Sequence, residues 1–388
     1  MPIIVVKAED LKKAMAIATL ATADDPKIVK GHALFKISSR TIFIQALNDK
    51  YISYTSIPLA GEEMDPASEG MTFSVDPKSM TTLLSSSDNK EVKISFTKET
   101  MTVDVYASED PEAYISLPSH DPEKFVDFSD RIKEIKTIAP VDTTVLTAAL
   151  KFGAGFASQD DKDPKYSNIF IREGVLQATN GTHRVGFFKV DDLAPIFSMI
   201  IRRVNVSPIL NFLERALKDS VLIGESENLI LFSSPDAKSG YGFTKSVIEI
   251  PKIPGSTDIP STDGMTVNRQ TFLKKINRLA IAMRGEEVNL EATLDGDSLT
   301  IHTVSDRKSV ERMTCTRLNG TSGKVTFFVK QPPLKAALSI YNGDTIDIYI
   351  YKNRLIFNSV ADLVCDEEGK IKKAFTATSL ISTPRGPS

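Results

Sequence analysis

The fold is decided by the stretch "MTFSVDPKSMTTLLSSSDNKEVKISFTKETMTVDVY", residues 71–106, because its layout returns twice along the chain. It reads as an apolar strand, a polar residue followed by proline, a short amphipathic helix, a turn and two alternating strands. The same order starts at Met199 with "MIIRRVNVSPILNFLERALKDSVLIGESENLILFSS" and at Gly323 with "GKVTFFVKQPPLKAALSIYNGDTIDIYIYKNRLIFNS". Self-similarity at a fixed period indicates a chain built from repeated structural units.

The proline of each repeat predicts where its helix begins. Asp76-Pro77 and Ser207-Pro208 are typical of an N-cap residue followed by the first helical residue, where the missing N–H of proline costs nothing. Gln331-Pro332 is a weaker version of the same signal. We therefore expect helices that start near these three prolines.

A second trio of stretches precedes the first, and each member is a strand followed by a helix. The three are "IIVVKAEDLKKAMAIATLA" from Ile3, "IKTIAPVDTTVLTAALKFGAGFA" from Ile135 and "MTVNRQTFLKKINRLAIAM" from Met265. The sequence thus predicts an α+β protein of three tandem domains, each made of two similar strand–helix–strands halves. The predicted bounds are 1–130, 131–255 and 256–381, followed by a disordered tail at 382–388.

Composition indicates an ordinary globular protein. The 388 residues are 41% hydrophobic and 25% charged, with a formal net charge of −3. Cys315 and Cys365 are the only cysteines, which excludes a disulfide framework and is typical of a reducing compartment. No signal peptide or run of about 18 apolar residues is present. We expect a cytoplasmic protein that has no membrane partner.

No catalytic or metal-binding pattern is visible. The four histidines, at 32, 120, 183 and 302, are not at helical metal-ligand spacing. Neither cysteine lies in a nucleophile signature, and no G-x-S-x-G elbow occurs. "GTSGKV" at 320–325 is not a phosphate loop, because Leu318 and Val325 stand where that motif requires its first glycine and its Ser or Thr. We expect no enzymatic activity, no metal and no cofactor.

The predicted helices carry basic residues although the whole protein is acidic. For one helix, an ordinary solvated face is the better interpretation. Six helices of one architecture, most of them net basic, favour a shared surface that contacts phosphate backbones without reading bases. The predicted DNA-binding residues are Lys12, Lys13, Lys78, Lys151, Arg215, Lys218, Lys274, Lys275, Arg278, Arg284 and Lys335.

The chain resembles the bacterial sliding clamps, the beta subunit family of DNA polymerase III, as a divergent member. The tandem doubled domains carry the resemblance over nearly the whole chain, to about Ile381. Its most specific element is Ala-Thr-Asn-Gly-Thr-His-Arg at 178–184, which stands where the family has Ala-Thr-Asp-Gly-His-Arg. The resemblance implies a homodimeric closed ring around duplex DNA, with no catalytic activity. It also implies that the ring lies with the nucleoid, tethers a DNA polymerase and other partners, and is opened by an ATP-dependent clamp loader.

The resemblance further implies that this hairpin borders a groove for a short hydrophobic partner peptide. The implied groove residues are Thr179, Gly181, His183, Arg184, Val185, Pro251, Thr376, Ala377 and Thr378. Thr182 is an insertion, and one extra residue within a strand would turn every later side chain to the opposite face. We expect a three-residue Asn-Gly-Thr loop at 180–182, which leaves the strand from His183 onward in register.

Two sheet edges have complementary charge, and we expect them to join head to tail in the ring. "YASEDPEAYISL" at 106–117 is acidic and "SDRKSVERM" at 305–313 is basic, and each has apolar residues at its centre. Ordinary edge protection in a monomer is the alternative interpretation. The predicted interface residues are Glu109, Asp110, Glu112, Tyr114, Ile115, Leu279, Arg307, Lys308, Val310 and Arg312.

Two other classes of function remain open. An enzyme would need a pocket with paired acid–base groups, which the sequence does not show. A repeat scaffold for protein–protein interaction that never touches DNA would account for the repeats but not for the basic helices.

Overall fold

The chain folds into two compact units. Unit one is Met1–Thr143 with Ser207–Lys245, and unit two is Thr144–Val206 with Ser246–Ser388. The predicted domain bounds follow the sequence repeat instead, and they stay a prediction. The computed structural model describes residues 3–60, 66–107, 110, 112–160, 162–182, 184–189, 191–196, 198–217, 219–248, 262–283, 288–305, 309–318, 323–341, 343–351, 354–359, 364–365, 371–373 and 376–382.

Six consecutive halves share one order within these residues: a strand, a helix and three strands. The first half is β1 Ile3–Lys7, α1 Ala8–Ala18, β2 Ala33–Ser38, β3 Thr41–Leu47 and β4 Tyr51–Pro58. The second is β5 Thr72–Val75, α2 Pro77–Ser85, β6 Glu91–Thr97, β7 Thr102–Tyr106 and β8 Ile115–Pro118. A linker helix, α3 Ser129–Lys133, follows.

The middle two halves follow the same order. The third half is β9 Lys136–Asp142, α4 Thr143–Phe156, β10 Asn168–Arg172, β11 Val175–Thr179 and β12 Arg184–Lys189. The fourth is β13 Ser198–Arg202, α5 Arg203–Ala216, β14 Ser220–Glu225, β15 Leu229–Ser233 and β16 Ser239–Thr244.

The last two halves contain three extra short strands. The fifth half is β17 Gly264–Asn268, α6 Arg269–Ala282, β18 Asn289–Asp295, β19 Ser298–Thr303 and β20 Val310–Thr314, followed by β21 Thr316–Leu318. The sixth is β22 Val325–Lys330, α7 Gln331–Ile340, β23 Thr345–Tyr351, β24 Arg354–Ser359, β25 Val364–Cys365, β26 Ile371–Lys373 and β27 Thr376–Ser382. Short 3-10 turns lie at Val29–Gly31, Pro66–Ser68, Pro122–Lys124 and Asp191–Leu193. No helix in the described part of the chain is long and apolar enough to span a membrane.

The first strand of each half joins the sheet of the neighbouring half. β1 pairs with β6 of the second half, and β5 pairs with β2 of the first. The same exchange joins β9 to β14 and β13 to β10, and then β17 to β23 and β22 to β18. Strand exchange therefore links the halves in three consecutive pairs, which confirms the predicted α+β class of three doubled repeats.

Two long sheets form where the last strands of different pairs meet. In unit one β4 pairs with β16, which gives the order β5-β2-β3-β4-β16-β15-β14-β9. In unit two β12 pairs with β27, which gives β13-β10-β11-β12-β27-β24-β23-β17-β21. Each unit also has a four-stranded sheet, β1-β6-β7-β8 in unit one and β20-β19-β18-β22 in unit two.

The helices bury one face against these sheets. In α1 the buried residues Leu11, Ala14, Met15 and Ala18 recur at helical spacing and belong to the same core as Met80 of α2. In unit two, Phe152 of α4 packs on Phe188 of β12, with 5.7 Å between ring centroids. The outer face of each long sheet is the face turned away from these helices.

Two of the three predicted helix starts are confirmed and one is wrong. Helix α7 begins at Gln331, beside Pro332. Asp76 caps α2 by accepting hydrogen bonds from the backbone N–H groups of Lys78 and Ser79. Helix α5, however, begins at Arg203, directly after β13, so Pro208 is its sixth residue. Pro208 has no N–H for the carbonyl of Val204, and the helix continues without that bond.

Candidate nucleic-acid and partner interfaces

The hairpin between β11 and β12 is organised by its own side chains. Oδ1 of Asn180 accepts the backbone N–H groups of Thr182 at 3.3 Å and Arg184 at 2.9 Å. Oγ1 of Thr179 donates to the carbonyl of Arg184 at 2.8 Å and accepts the N–H of Gly181 at 3.0 Å. Gly181 has φ +79°, a conformation that glycine adopts without strain.

The predicted loop at 180–182 is wrong by one residue. Thr179 pairs with Val185, and the N–H of Asn180 bonds the carbonyl of Arg184, so the reversal begins after Asn180. The side chain of Asn180 explains the difference, because it closes the turn from the position before the reversal. The shift preserves alternation, since Thr179 and Val185 remain on one face. His183 lies outside the described residues.

The two faces of β12 have different surroundings. Phe188 contacts α4, and a Cβ on Gly186 would lie 2.5 Å from the ring of Phe156, so this face is turned toward the helix. Arg184 shares that face by alternation, whereas Val185 lies on the outer face. Burial lowers the pKa of Arg184, and the charge of Arg203 adds to the effect. The structure therefore separates two residues that the predicted groove places together.

An apolar row crosses the outer face of the long sheet in unit two. Registers align Leu318, Gly264, Tyr349, Ile356 and Val185 across successive strands, with residue 380 of β27 completing the row. The row belongs to an apolar cluster, and the cluster members that the predicted groove lacks are Val175, Phe187, Leu318, Tyr349 and Ile356. Only alternation within each strand signalled them, because they come from segments far apart in sequence.

Strand β27 lies in the middle of this sheet. Its predicted groove residues Thr376, Ala377 and Thr378 pair through the backbone with Lys189, Phe188 and Phe187 of β12. The other edge of β27 pairs with β24. Pro251, also predicted in the groove, lies outside the described residues.

An ion pair fixes the β21 end of the apolar row. Nη2 of Arg317 lies 2.7 Å from Oδ1 of Asp263, and both side chains are largely buried. Nη1 of Arg317 donates to the carbonyl of Gly323 at 2.8 Å, and its backbone N–H bonds Asp297 at 2.9 Å. These bonds hold β21 beside β17.

The basic residues of unit one are partly neutralised. Lys13 lies 2.6 Å from Glu9, and Lys78 lies 2.6 Å from Asp24. Both pairs are largely exposed, so each contributes little to stability. Arg215 is exposed, and its Nη1 donates to a carbonyl of α1 at 3.5 Å. Lys12 is half-buried and has no ion pair with a described residue, and Lys218 lies outside that part of the chain.

In unit two one carboxylate neutralises two predicted DNA contacts. Glu311 of β20 lies 3.1 Å from both Lys275 and Arg278 of α6, and its side chain is nearly buried. The sequence of α6 contains no acid, so this partner could be found only from the fold. The predicted contacts that stay exposed without an ion pair to any described residue are Lys151, Lys274 and Lys335, while Arg284 lies outside the described residues.

Within the described residues, the two predicted interface strands, β8 and β20, are free edges of the four-stranded sheets. Tyr114 and Ile115 are each 55% exposed, and Val310 is 49% exposed. Ile115 faces the core side of its sheet, since it pairs with the buried Val105, yet no described residue covers it. Of the predicted charged residues, Asp110, Glu112 and Arg312 are described, whereas Glu109, Arg307 and Lys308 are not.

Leu279 does not belong with these exposed residues. It is 2% exposed and lies in the core of unit two. Ile281, two residues further along α6, is 76% exposed. Two residues turn a helix by about 200°, so the side chain that is free for a partner is Ile281.

No group of three His, Cys, Asp or Glu residues in the described part of the chain could hold a metal ion. His32 has a structural environment: it is buried, and its Nε2 lies 2.9 Å from the carbonyl of Pro26.

Solved structures match this architecture over its full length. A DNA polymerase sliding clamp from Bacillus subtilis has a TM-score of 0.78 at 15% identity, with 100% of both chains covered. The DNA polymerase III subunit beta from Pseudomonas aeruginosa has a TM-score of 0.77 at 13% identity, over 99% of this chain and 100% of that chain. The DNA polymerase III beta subunit from Thermotoga maritima has a TM-score of 0.77 at 12% identity, with 100% of both covered.

The class of architecture is therefore that of a DNA-clamp repeat protein. More specifically, the chain has the fold of the bacterial DNA polymerase III beta sliding clamps. Neither the known family models nor the curated proteins include a match to its sequence.

Proposed function

We propose that this protein is a DNA sliding clamp, a processivity factor without catalytic activity. Two copies close a ring around duplex DNA and tether a DNA polymerase and other partners, and an ATP-dependent loader opens the ring. The protein acts in the cytoplasm, at the nucleoid. The proposed clamp domains are 1–130, 131–255 and 256–381.

One observation carries the proposal: the last strands of the six halves meet in pairs, and two of them are left over. β4 pairs with β16 and β12 pairs with β27, both antiparallel. β8 and β20 have free edges. A second copy supplies the missing partner for each, because β8 of one chain can pair with β20 of the other. Because the two edges differ, copies join head to tail, and we propose that the ring closes with two copies.

We take the register of this closure from the β4–β16 junction; the β12–β27 junction is offset from it by two residues, since Val185 pairs with residue 380. In the β4–β16 junction, Tyr54 of β4 pairs with Gly240 of β16. Each of the two lies four residues before the residue of its own strand that pairs with the first residue of the preceding strand, which is β3 for β4 and β15 for β16. Applied to β8 and β20, this rule pairs Tyr114 with Val310. The rule also sets Glu112 against Arg312.

That register gives each contact a physical role. Exposed ion pairs contribute only about 0.2–1 kcal/mol each, so the apolar residues and the strand hydrogen bonds supply most of the dimer affinity. Ile281 adds apolar area beside β20, since α6 packs on that strand. The charges oppose like-with-like pairing of the edges.

DNA contact is proposed to be weak and independent of base sequence. The exposed lysines Lys151, Lys274 and Lys335 favour DNA contact, because they have no ion pair with a described residue. Each phosphate contact removed by an alanine substitution is expected to lower the slope of log affinity against log salt by about 0.9.

The partner site is proposed to be the apolar row of unit two. Val185, Val175 and Leu318 remain partly exposed at its margins, so an apolar side chain of a partner peptide can pack beside them. The groove residues on β12 and β27 border this row.

Retention on nicked circular DNA tests the proposal. We expect the protein to stay on the circle at about 0.15 M salt, where long-range attraction is screened, and to leave when the circle is cut. Equal retention on linear DNA would show ordinary surface binding. No retention on either form, at concentrations where the protein is a dimer, would favour a scaffold that does not contact DNA.

A further inference from the structure

The centre of the apolar row contains one polar group without a partner. The side chain of Tyr349 is 9% exposed, and its hydroxyl makes no hydrogen bond with any described residue. The hydroxyl is not among the fully buried unpaired atoms of the described residues, so it is open to water, and a ligand that covers it must supply a hydrogen bond in place of water.

The position of Tyr349 is fixed by the sheet. It faces Ile356 on one neighbouring strand and Gly264 on the other. A Cβ on Gly264 would lie 2.7 Å from Cδ1 of Tyr349, so the ring lies across the space that only glycine leaves. The hydroxyl is therefore held at one place and has little freedom to find a partner in the protein.

The described acceptor beside Tyr349 along its own strand already has another donor. Asp347 is two residues before Tyr349 on the same face, and its carboxylate accepts a hydrogen bond from Oγ1 of Thr266 at 2.7 Å. Burial, followed by the negative charge of Asp347, raises the pKa of Tyr349. At neutral pH the hydroxyl is accordingly a neutral donor. The charge of Asp347 also disfavours an anionic ligand at this point.

Other buried tyrosines differ from Tyr349. The hydroxyl of Tyr341 donates to the carbonyl of Phe357 at 3.3 Å in the core of unit two. Tyr54, on the outer face of the long sheet in unit one, has a hydrogen bond with Ser233. Tyr241 also lacks a partner, but it is fully buried in the core of unit one and cannot meet a ligand.

We propose that the Tyr349 hydroxyl is the polar recognition point of the partner groove, where it donates a hydrogen bond to a main-chain carbonyl of the bound peptide. The proposal rests on the proposed function, because it assigns a residue of that same groove. It makes Tyr349 a specificity determinant: the apolar row fixes which side chain the peptide buries, and the hydroxyl fixes where its backbone lies.

The test uses a peptide chosen by the protein itself. A hexapeptide display library is selected on the wild-type protein and depleted on Val185→Asp, so that the surviving peptide depends on the groove. Its affinity is then measured by fluorescence polarisation on Tyr349→Phe and on the matched control Tyr54→Phe. We expect a five- to tenfold loss for Tyr349→Phe and no change for Tyr54→Phe, with thermal unfolding of Tyr349→Phe unaltered.

A second measurement separates a hydrogen bond from a packing effect. The peptide is remade with one main-chain carbonyl at a time reduced to a methylene. At one peptide position, the reduction is expected to lower the affinity for the wild-type protein five- to tenfold and to cause no further loss of affinity for Tyr349→Phe. A Val185-dependent peptide that binds Tyr349→Phe as tightly as wild type overturns this inference alone. Failure to obtain any Val185-dependent peptide overturns the groove and this inference together.

Discussion

The outer faces of the two long sheets each have a tyrosine packed against a glycine, but their surroundings differ. In unit one Tyr54 lies against Gly240, and Phe128 and Ile132 of the linker pack on the same cluster. In unit two Tyr349 lies against Gly264, and the described members of its cluster all come from the sheet itself. The chain's own linker therefore completes the outer face in unit one, whereas the outer face in unit two keeps a polar group without a partner among the described residues.

The largest expected effect is on stability, at the outer face of the long sheet in unit one, which the linker covers (the closed face). Phe128 is 2% exposed, so Phe128→Ala leaves a cavity on the outer face and should cost about 3–5 kcal/mol of unfolding free energy. Denaturant unfolding measures the loss, and Val247→Ala, at a 99% exposed side chain, is the matched control. A cost below about 1 kcal/mol would mean that the linker merely rests on the sheet.

The second largest effect is expected on peptide binding at the outer face of the long sheet in unit two, which no described linker residue covers (the open face). Val185→Asp places an unpaired charge beside the apolar row and should weaken partner peptides by about 3 kcal/mol, which is roughly 150-fold. The fold should survive, because Val185 remains partly exposed. Isothermal titration with the selected hexapeptide measures the change. Normal binding by a folded variant would place the groove elsewhere.

Alanine substitutions of Gly240 and Gly264 form a matched pair whose expected effects are of intermediate size. A Cβ at Gly240 would lie 2.3 Å from Cε1 of Tyr54, and a Cβ at Gly264 would lie 2.7 Å from Cδ1 of Tyr349. Each alanine substitution should cost about 1–3 kcal/mol of stability, with Gly240→Ala the more costly because the linker confines Tyr54. Gly264→Ala alone should also weaken the peptide. Equal effects on peptide binding would show that the two faces do not differ in function.

The smallest effect concerns pH and the closed face. Burial alone would raise the pKa of Asp127, but hydrogen bonds from Lys36 and Ser129 outweigh it and hold the pKa well below its ordinary value of 3.8. The ion pair with Lys36 therefore stabilises the linker above about pH 4 and is lost as the pH falls below that value. Asp127 is about half exposed, so the contribution is only about 0.2–1 kcal/mol. Asp127→Asn should remove this part of the acid dependence of unfolding, and an unchanged pH profile would contradict it.

Local patterns predicted much of the fold. The repeat gave six strand–helix–strands halves, and Asp76-Pro77 gave a helix start. The exchange of first strands between halves could not be predicted, because no residue in a strand specifies which distant edge it joins. Pro208 misled the prediction of α5, since the helix continues past a missing hydrogen bond.

The candidate sites were predictable to the extent that they are local. The acidic and basic edges can be read from single segments, and both are free edges in the structure. Glu311 neutralises Lys275 and Arg278 from a different strand, so the basic face of α6 was overestimated. The apolar row needs residues from six strands in register, and no sequence pattern distinguishes Tyr349 from the other tyrosines of the strands.

The most direct test of the account joins the two free edges covalently. Tyr114→Cys and Val310→Cys are combined in a chain whose Cys315 and Cys365 are replaced by alanine, and the protein is mixed with nicked circular DNA and treated with a short bis-maleimide. We expect a doubly cross-linked dimer that stays on the circle at about 1 M salt, where attraction to phosphates is screened beyond about 3 Å. Cutting the circle should release it. Cross-linking within single chains, or a cross-linked dimer that washes off the intact circle, would contradict the closed ring.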